Sequence, residues 1–295
     1  MTTTRIGFIG VGVMGEPMCR NLVRKSGLPV LAYDPHPAPL ERLASDGVRS
    51  ASSVAEVIQQ SDVILMSLPS GEIVESICRG ADGLIAHGRA GQILIDLSTS
   101  AVDSTRALAA DFAAQQIEFL DAPVARTRAA AEAGTLALMI GGEAATVERV
   151  RPLLATFASD ITHCGPVGCG QVVKILNNMV LFETVVAISE AHAIGERAGV
   201  DPALLFDALS KGSADSFALR SHGMKAVLPG EFPERAFSVQ YARKDLGYAL
   251  KLAQQTGIDA RGARVVDAWF EEAIAQGDGE LYHPVISRQI GRTEQ

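Results

Sequence analysis

Two groups of residues in this 295-residue chain have the types and spacing to do chemistry. The first is Gly10-Val11-Gly12-Val13-Met14-Gly15, whose glycines stand in G-x-G-x-x-G spacing. An apolar run (Ile6, Phe8, Ile9) leads into it and a helical pattern (Met18, Leu22, Val23) leads out. The first glycine permits a tight turn and the second lets backbone approach a pyrophosphate. The third lets helix pack on strand, so that a helix N-terminus faces the phosphates. Asp34 closes the next apolar run, about 20 residues further on, where a ribose-binding carboxylate belongs. This combination is that of a nicotinamide-dinucleotide site. Pro35, His36 and Pro37 follow Asp34 with no arginine for a 2′-phosphate, which favours NAD over NADP.

The second group lies far along the chain. Residues 172–188 read VVKILNNMVLFETVVAI, with Lys174 and Glu183 the charges among them. A helix this apolar must bury much of its surface. Gln171, Lys174 and Asn178 then form one polar stripe at i, i+3 and i+7. Helix pattern alone reads Lys174 as a lysine whose ammonium snorkels to solvent. A dinucleotide cradle in the same chain turns the reading toward a general acid/base, because a carbonyl reductase needs a proton donor beside its hydride donor.

Elements that could position these groups alternate through the first half. Strands are expected at 5–10, 29–34, 62–67, 92–97, 117–121 and 135–141. Helices are expected at 20–25, 39–45, 54–60, 72–78 and 101–115. That alternation predicts an α/β fold with a mostly parallel, doubly wound Rossmann-type sheet. Ligands would sit at the carboxyl ends of its strands, in loops 10–15, 34–37, 68–71, 98–100 and 122–128. After the breaker cluster Gly165-Pro-Val-Gly-Cys-Gly170 the strand pattern stops. We expect a dinucleotide-binding domain over 1–164 and an all-helical domain over 165–295, hung on one long helix at about 170–198.

Bulk properties exclude several classes. A net charge of −8 with no basic patch argues against nucleic-acid binding. No uninterrupted apolar run reaches the ~18 residues of a membrane span. The first strand starts too close to Met1 to follow a secretory signal, so a cytoplasmic location is expected. Cys19, Cys78, Cys164 and Cys169 are scattered without a metal-ligand pattern, and no metal is expected.

Taken in order, the motifs resemble the β-hydroxyacid (3-hydroxyisobutyrate) dehydrogenase family over nearly the whole chain. They are the glycine turn at 7–15, Leu68-Pro69, Asp96-Leu-Ser98-Thr99, Asp-Ala-Pro-Val at 121–124, Gly134-Thr-Leu136, Gly141-Gly142, Gly170-Gln-Val-Val-Lys174 with Asn177-Asn178, and Lys244-Asp-Leu-Gly247. The resemblance implies a catalytic role for Lys174 and a substrate-binding role for Asn178. It puts Leu68 and Pro69 on the adenosine side of NAD, and Ser98 and Thr99 near nicotinamide and substrate. Lys244 becomes the lysine of the helical domain that closes over the cofactor. A homodimer or homotetramer is implied as well. Without the resemblance, Leu68-Pro69 could be a strand terminus, Ser98 and Thr99 a helix cap, and Lys244 a surface charge beside Asp245.

One departure bears on substrate. Most of the family follows Asp-Ala-Pro-Val with Ser-Gly-Gly, whereas this chain has Ala125-Arg126-Thr127-Arg128. An arginine fork suits an oxyanion, and Val-x-Arg-Thr here resembles the sulfolactaldehyde reductase branch. The first substrate expected is therefore 3-sulfolactaldehyde, reduced to 2,3-dihydroxypropane-1-sulfonate, with Ala125, Arg126 and Thr127 at its sulfonate. Succinic semialdehyde and methylmalonate semialdehyde are the alternatives, and a non-catalytic NAD-binding protein on this fold is the rival from another class.

Overall fold

Four short aliphatic segments with no polar face become central strands: β1 (Ile6–Ile9), β2 (Val30–Tyr33), and, past the two-residue β3 (Arg49–Ser50), β4 (Val63–Met66) and β5 (Ile93–Asp96). The computed structural model describes residues 4–234 and 236–292. β1, β4 and β5 are buried at every position, as strands covered on both faces must be. Their side chains alternate between two cores. Ile6, Phe8, Leu65 and Ile95 pack on one side with Met18 and Leu22 of the helix Gly15–Ser26. Ile9, Ile64, Met66 and Leu94 pack on the other with Val57, Val74, Leu108 and Phe112 from three further helices.

Four more strands complete the sheet: β6 (Glu118–Asp121), β7 (Val124–Ala125), β8 (Leu136–Gly141) and β9 (Ala158–Gly165). The order is β3-β2-β1-β4-β5-β6-β8-β7, with β9 beside β8. The run from β3 to β6 is parallel throughout, and chain order reverses between β1 and β4. That reversal opens the crevice in which doubly wound sheets hold ligands. β8 runs antiparallel to β6 and β7.

Compact packing divides the chain into Met1–Lys174 and Ile175–Gln295. The division falls ten residues beyond the boundary expected from the breaker cluster. The reason is local: the first turn of the helix Cys169–Arg197 is bonded to the sheet through Asp121 and Gln171. The second unit is helical among its described residues apart from two isolated bridges, 234 with 281 and 238 with 282. Its core gathers Phe182, Val185, Phe206, Leu246, Val266, Phe270 and Ile286. The segment Leu219–Val227 is a π-helix. By length and average hydropathy the helix Cys169–Arg197 could cross a bilayer, contrary to expectation. Its Phe182, Val185 and Val186 are nevertheless spent on the protein core.

Candidate active site

The turn after β1 has the geometry a dinucleotide needs. Gly10 has φ +87°, a left-handed conformation that favours glycine, and a Cβ there would strike the Ser67 carbonyl. A Cβ on Gly15 would collide with the Gly10 carbonyl, so the helix Gly15–Ser26 sits against the strand only because that atom is missing. Gly12 is exposed, with nothing within 4 Å of where its Cβ would be, which leaves a cradle for phosphate beside backbone. Val11 is buried, Val13 exposed and Met14 half-buried. Asp34 lies under the turn: its Oδ2 accepts the Val11 N–H at 2.9 Å and its Oδ1 the His36 N–H at 2.9 Å. This cradle fits a dinucleotide, with the carboxylate at the end of β2 where a ribose would lie.

The loops after β4 and β5 are tied to each other. The Leu68 N–H donates to Ser98 Oγ at 2.9 Å. Leu68 is half-buried, Pro69 exposed, Ser98 buried and Thr99 half-buried. All of these residues stand at the carboxyl edge of the parallel strands.

Lys174 is 8% exposed, a burial that a snorkelling ammonium would not show. Asn178, one turn on, is buried too, and its Nδ2 donates to Asp245 Oδ2 at 2.8 Å. Lys244 Nζ is 3.1 Å from Asp245 Oδ1 and lies near the rings of Tyr241 and Tyr248. Sequence reading gave Asp245 no role, because its partner is 67 residues away; an acidic residue on the buried face of the helix Val239–Gln255 was the available signal.

Two further carboxylates are buried behind the site. Asp121, at the end of β6, accepts the Gly168 N–H at 2.7 Å and the Gln171 N–H at 2.8 Å. Burial pushes its pKa up to about 6 against the pull of those donors. Asp96, at the end of β5, accepts the Ser98 N–H at 2.9 Å. Burial pushes it up to about 7, and the nearby Asp121 charge adds to the rise. Both had been visible only as parts of motifs.

Arg126 departs from its expected place. Its φ is +85°, unusual for any residue but glycine. The guanidinium is taken up at the sheet edge, donating to the Thr135 carbonyl at 2.6 Å, Ser159 Oγ at 2.9 Å and Asp160 Oδ2 at 2.7 Å. Thr127 caps the short helix Arg128–Ala133, its hydroxyl accepting the Ala130 N–H. Ala125 is buried opposite Ala137 of β8. The expected oxyanion clamp is therefore engaged with protein partners.

Comparison with known proteins decides the family. Residues 5–165 match the model of the NAD-binding domain of 6-phosphogluconate dehydrogenase, and 168–288 that of the NAD-binding domain of NADP-dependent 3-hydroxyisobutyrate dehydrogenase. The 2-(hydroxymethyl)glutarate dehydrogenase of Eubacterium barkeri is 34% identical, covering 93% of this chain and 91% of that one. The chain belongs to the 3-hydroxyisobutyrate dehydrogenase family. The 3-hydroxyisobutyrate dehydrogenase of Pseudomonas aeruginosa is 38% identical over 85% of this chain and 86% of its own. Among solved structures, Mycobacterium tuberculosis 3-hydroxyisobutyrate dehydrogenase with L-serine superposes with a TM-score of 0.89 at 32% identity, covering 99% and 100% of the two chains. Membership makes this protein an NAD-dependent oxidoreductase acting on CH–OH groups of small hydroxy acids.

Proposed function

We propose that this dehydrogenase interconverts a 3-hydroxy acid of the form HOCH2–CHR–COO⁻ and its semialdehyde. The observation that carries the reading is buried Lys174, one helical turn before an Asn178 whose amide is fixed by Asp245. The names of the relatives share this substructure: 3-hydroxyisobutyrate, 2-(hydroxymethyl)glutarate and L-serine each place a primary alcohol β to a carboxylate.

The Gly10–Gly15 turn and Asp34 would hold NAD, which would supply the hydride acceptor or donor. Lys174 handles the proton. In oxidation its neutral Nζ takes the hydroxyl proton; in reduction its ammonium polarises the carbonyl oxygen and returns the proton as alkoxide develops. Asn178, held by Asp245, orients the substrate oxygens, so that less rotational freedom is lost at the transition state. Ser98 and Thr99 would face the substrate, and Leu68, Pro69 and the turn at 10–15 the cofactor.

A carboxylate substrate is favoured because Arg126 already has Asp160, Ser159 and the Thr135 carbonyl as partners. The 3-sulfolactaldehyde reading requires that guanidinium to exchange Asp160 for a sulfonate, and 4-hydroxybutyrate requires a longer reach. The test is NAD reduction with 3-hydroxyisobutyrate, L-serine, 2-(hydroxymethyl)glutarate, 4-hydroxybutyrate and 2,3-dihydroxypropane-1-sulfonate, compared by kcat/KM. Preference for one of the first three is expected. Preference for the sulfonate moves Arg126 into the substrate site, and no turnover with any of them leaves an NAD-binding protein without this activity. Exposed Leu176, Val180 and Ile194 on the long helix and Leu204 beside it support a homo-oligomer, which light scattering would detect.

A further inference from the structure

We infer that Gln171, seated on Asp121, is a positioning residue for Lys174: a buried polar joint that fixes the catalytic helix to the loop after β5. The inference rests on the role proposed for Lys174. Gln171 is fully buried, one helical turn before Lys174 on the same face. Its side-chain amide is used at both ends. Nε2 donates to the Ser98 carbonyl at 2.8 Å, and Oε1 accepts the Ser100 N–H at 3.1 Å. Its backbone N–H donates to Asp121 Oδ2, while Asp121 Oδ1 takes the Gly168 N–H. One helical turn is thus gripped from β6 through a carboxylate and from the 98–100 loop through an amide.

The joint has no slack. A Cβ on Gly170 would strike the carbonyls of Met139 and Asp121, and one on Gly141 would strike the Asp121 carboxylate. The Ser98 whose carbonyl Gln171 holds also presents its hydroxyl to the Leu68 N–H, so the same amide reaches the cofactor loops at one remove. Buried polar groups with several satisfied bonds rigidify what they connect. Here they connect the proposed proton donor to loops at the carboxyl edge of the sheet, where displacement of about 1 Å costs on the order of 100-fold in rate.

The test compares Gln171→Leu, Gln171→Glu and Lys174→Ala in the full-length protein. Lys174 labelling by trinitrobenzenesulfonate, mapped by mass spectrometry, needs no substrate. It should be about tenfold faster in Gln171→Leu once the joint releases the helix. With 3-hydroxyisobutyrate and NAD, kcat should fall roughly 10- to 100-fold and the deuterium isotope effect should rise. The NADH Kd should stay within about threefold of wild type, a split that global loosening would not give. Gln171→Glu supplies a rescue. Protonated, the carboxyl can donate to the Ser98 carbonyl and accept from the Ser100 N–H; ionised, it can only accept. Its kcat relative to wild type should therefore climb as pH is lowered, and this arm serves if Gln171→Leu does not fold. Wild-type labelling in folded Gln171→Leu, or a pH-independent deficit in Gln171→Glu, overturns the inference. A fully active Lys174→Ala would instead overturn the proposed role of Lys174, leaving the joint to be judged by labelling alone.

Discussion

Arg126 offers a measurement in which glycine and alanine should part company. A non-glycine residue at φ +85° carries about 1–2 kcal/mol of backbone strain. The ion pair that restrains Arg126 is partly exposed, 39% for its side chain and 58% for that of Asp160, so it returns only about 0.2–1 kcal/mol. Arg126→Gly loses the pair but relieves the strain; the greater freedom of glycine in the unfolded chain takes back about 0.4–1 kcal/mol. The sum is near zero. Arg126→Ala loses the pair and keeps the strain, for a net loss of about 0.2–1 kcal/mol. The glycine variant should melt about 2–4 °C above the alanine variant in a calorimeter. If the guanidinium remains on Asp160, both should keep KM for a carboxylate substrate within about threefold. A guanidinium that bound the substrate anion would contribute roughly 1.5–3 kcal/mol, and both variants would then raise KM by about 10- to 150-fold. Equal, large KM increases in the two variants, with no order in melting temperature, would refute the assignment of Arg126 to Asp160.

Other substitutions probe the remaining parts. Lys174→Ala should lower kcat by about 10²- to 10⁴-fold with little change in NADH affinity by fluorescence titration; weakened NADH binding at unaltered kcat would contradict its proton-transfer role. Asp34→Ser should weaken NADH binding relative to NADPH, and an unchanged ratio of the two Kd values would remove Asp34 from the ribose. Asp245→Ala should raise KM while leaving the melting temperature of the first unit alone, since its bond to Asn178 lies within the second. The helical unit also predicts a pH response. Burial lowers His222 to about 4, and it drives the fully buried His283 well down. As pH falls from about 6.5 toward 4, the unfolded chain takes protons these rings refuse, so their contribution to stability is lost over that window. Raised Asp121 and Asp96 act oppositely, losing stability as pH rises through about 6 to 7. His222→Asn, whose amide can hydrogen-bond the Tyr282 hydroxyl in either direction in place of Nδ1, should therefore gain in melting temperature relative to wild type between pH 7 and pH 5. A pH-independent difference would remove His222 from the acid response.

The central strands were legible because burial on both faces leaves uninterrupted aliphatic runs, and six of the nine strands among the described residues were anticipated. The long helix was legible from its apolar length. β9 escaped notice because much of it is exposed at the sheet edge, where Ser159, Asp160, Thr162 and His163 break the apolar signal. β3 and β7 are two residues each, too short to show a period. At the site, the glycine turn could be read because its chemistry is local. The partners of Asp121, Gln171 and Asp245 lie 47 to 73 residues away, and no local pattern encodes such pairings. Arg126 differs again: residue type advertises a charged fork, while its left-handed backbone and its distant partner Asp160 decide where the fork goes.

The seam between the two compact units falls immediately after Lys174, inside an unbroken helix. The dinucleotide turn and the proposed proton donor are therefore inherited together on one side of a single peptide bond, and Asn178 with Asp245 on the other. Substitutions beyond the seam can reach Asn178 and Asp245 while leaving the glycine turn, Gln171 and Lys174 unaltered in the first unit. Chimeras joined between residues 174 and 175 would exchange Asn178 and Asp245 as a pair while the helix reads straight through the splice.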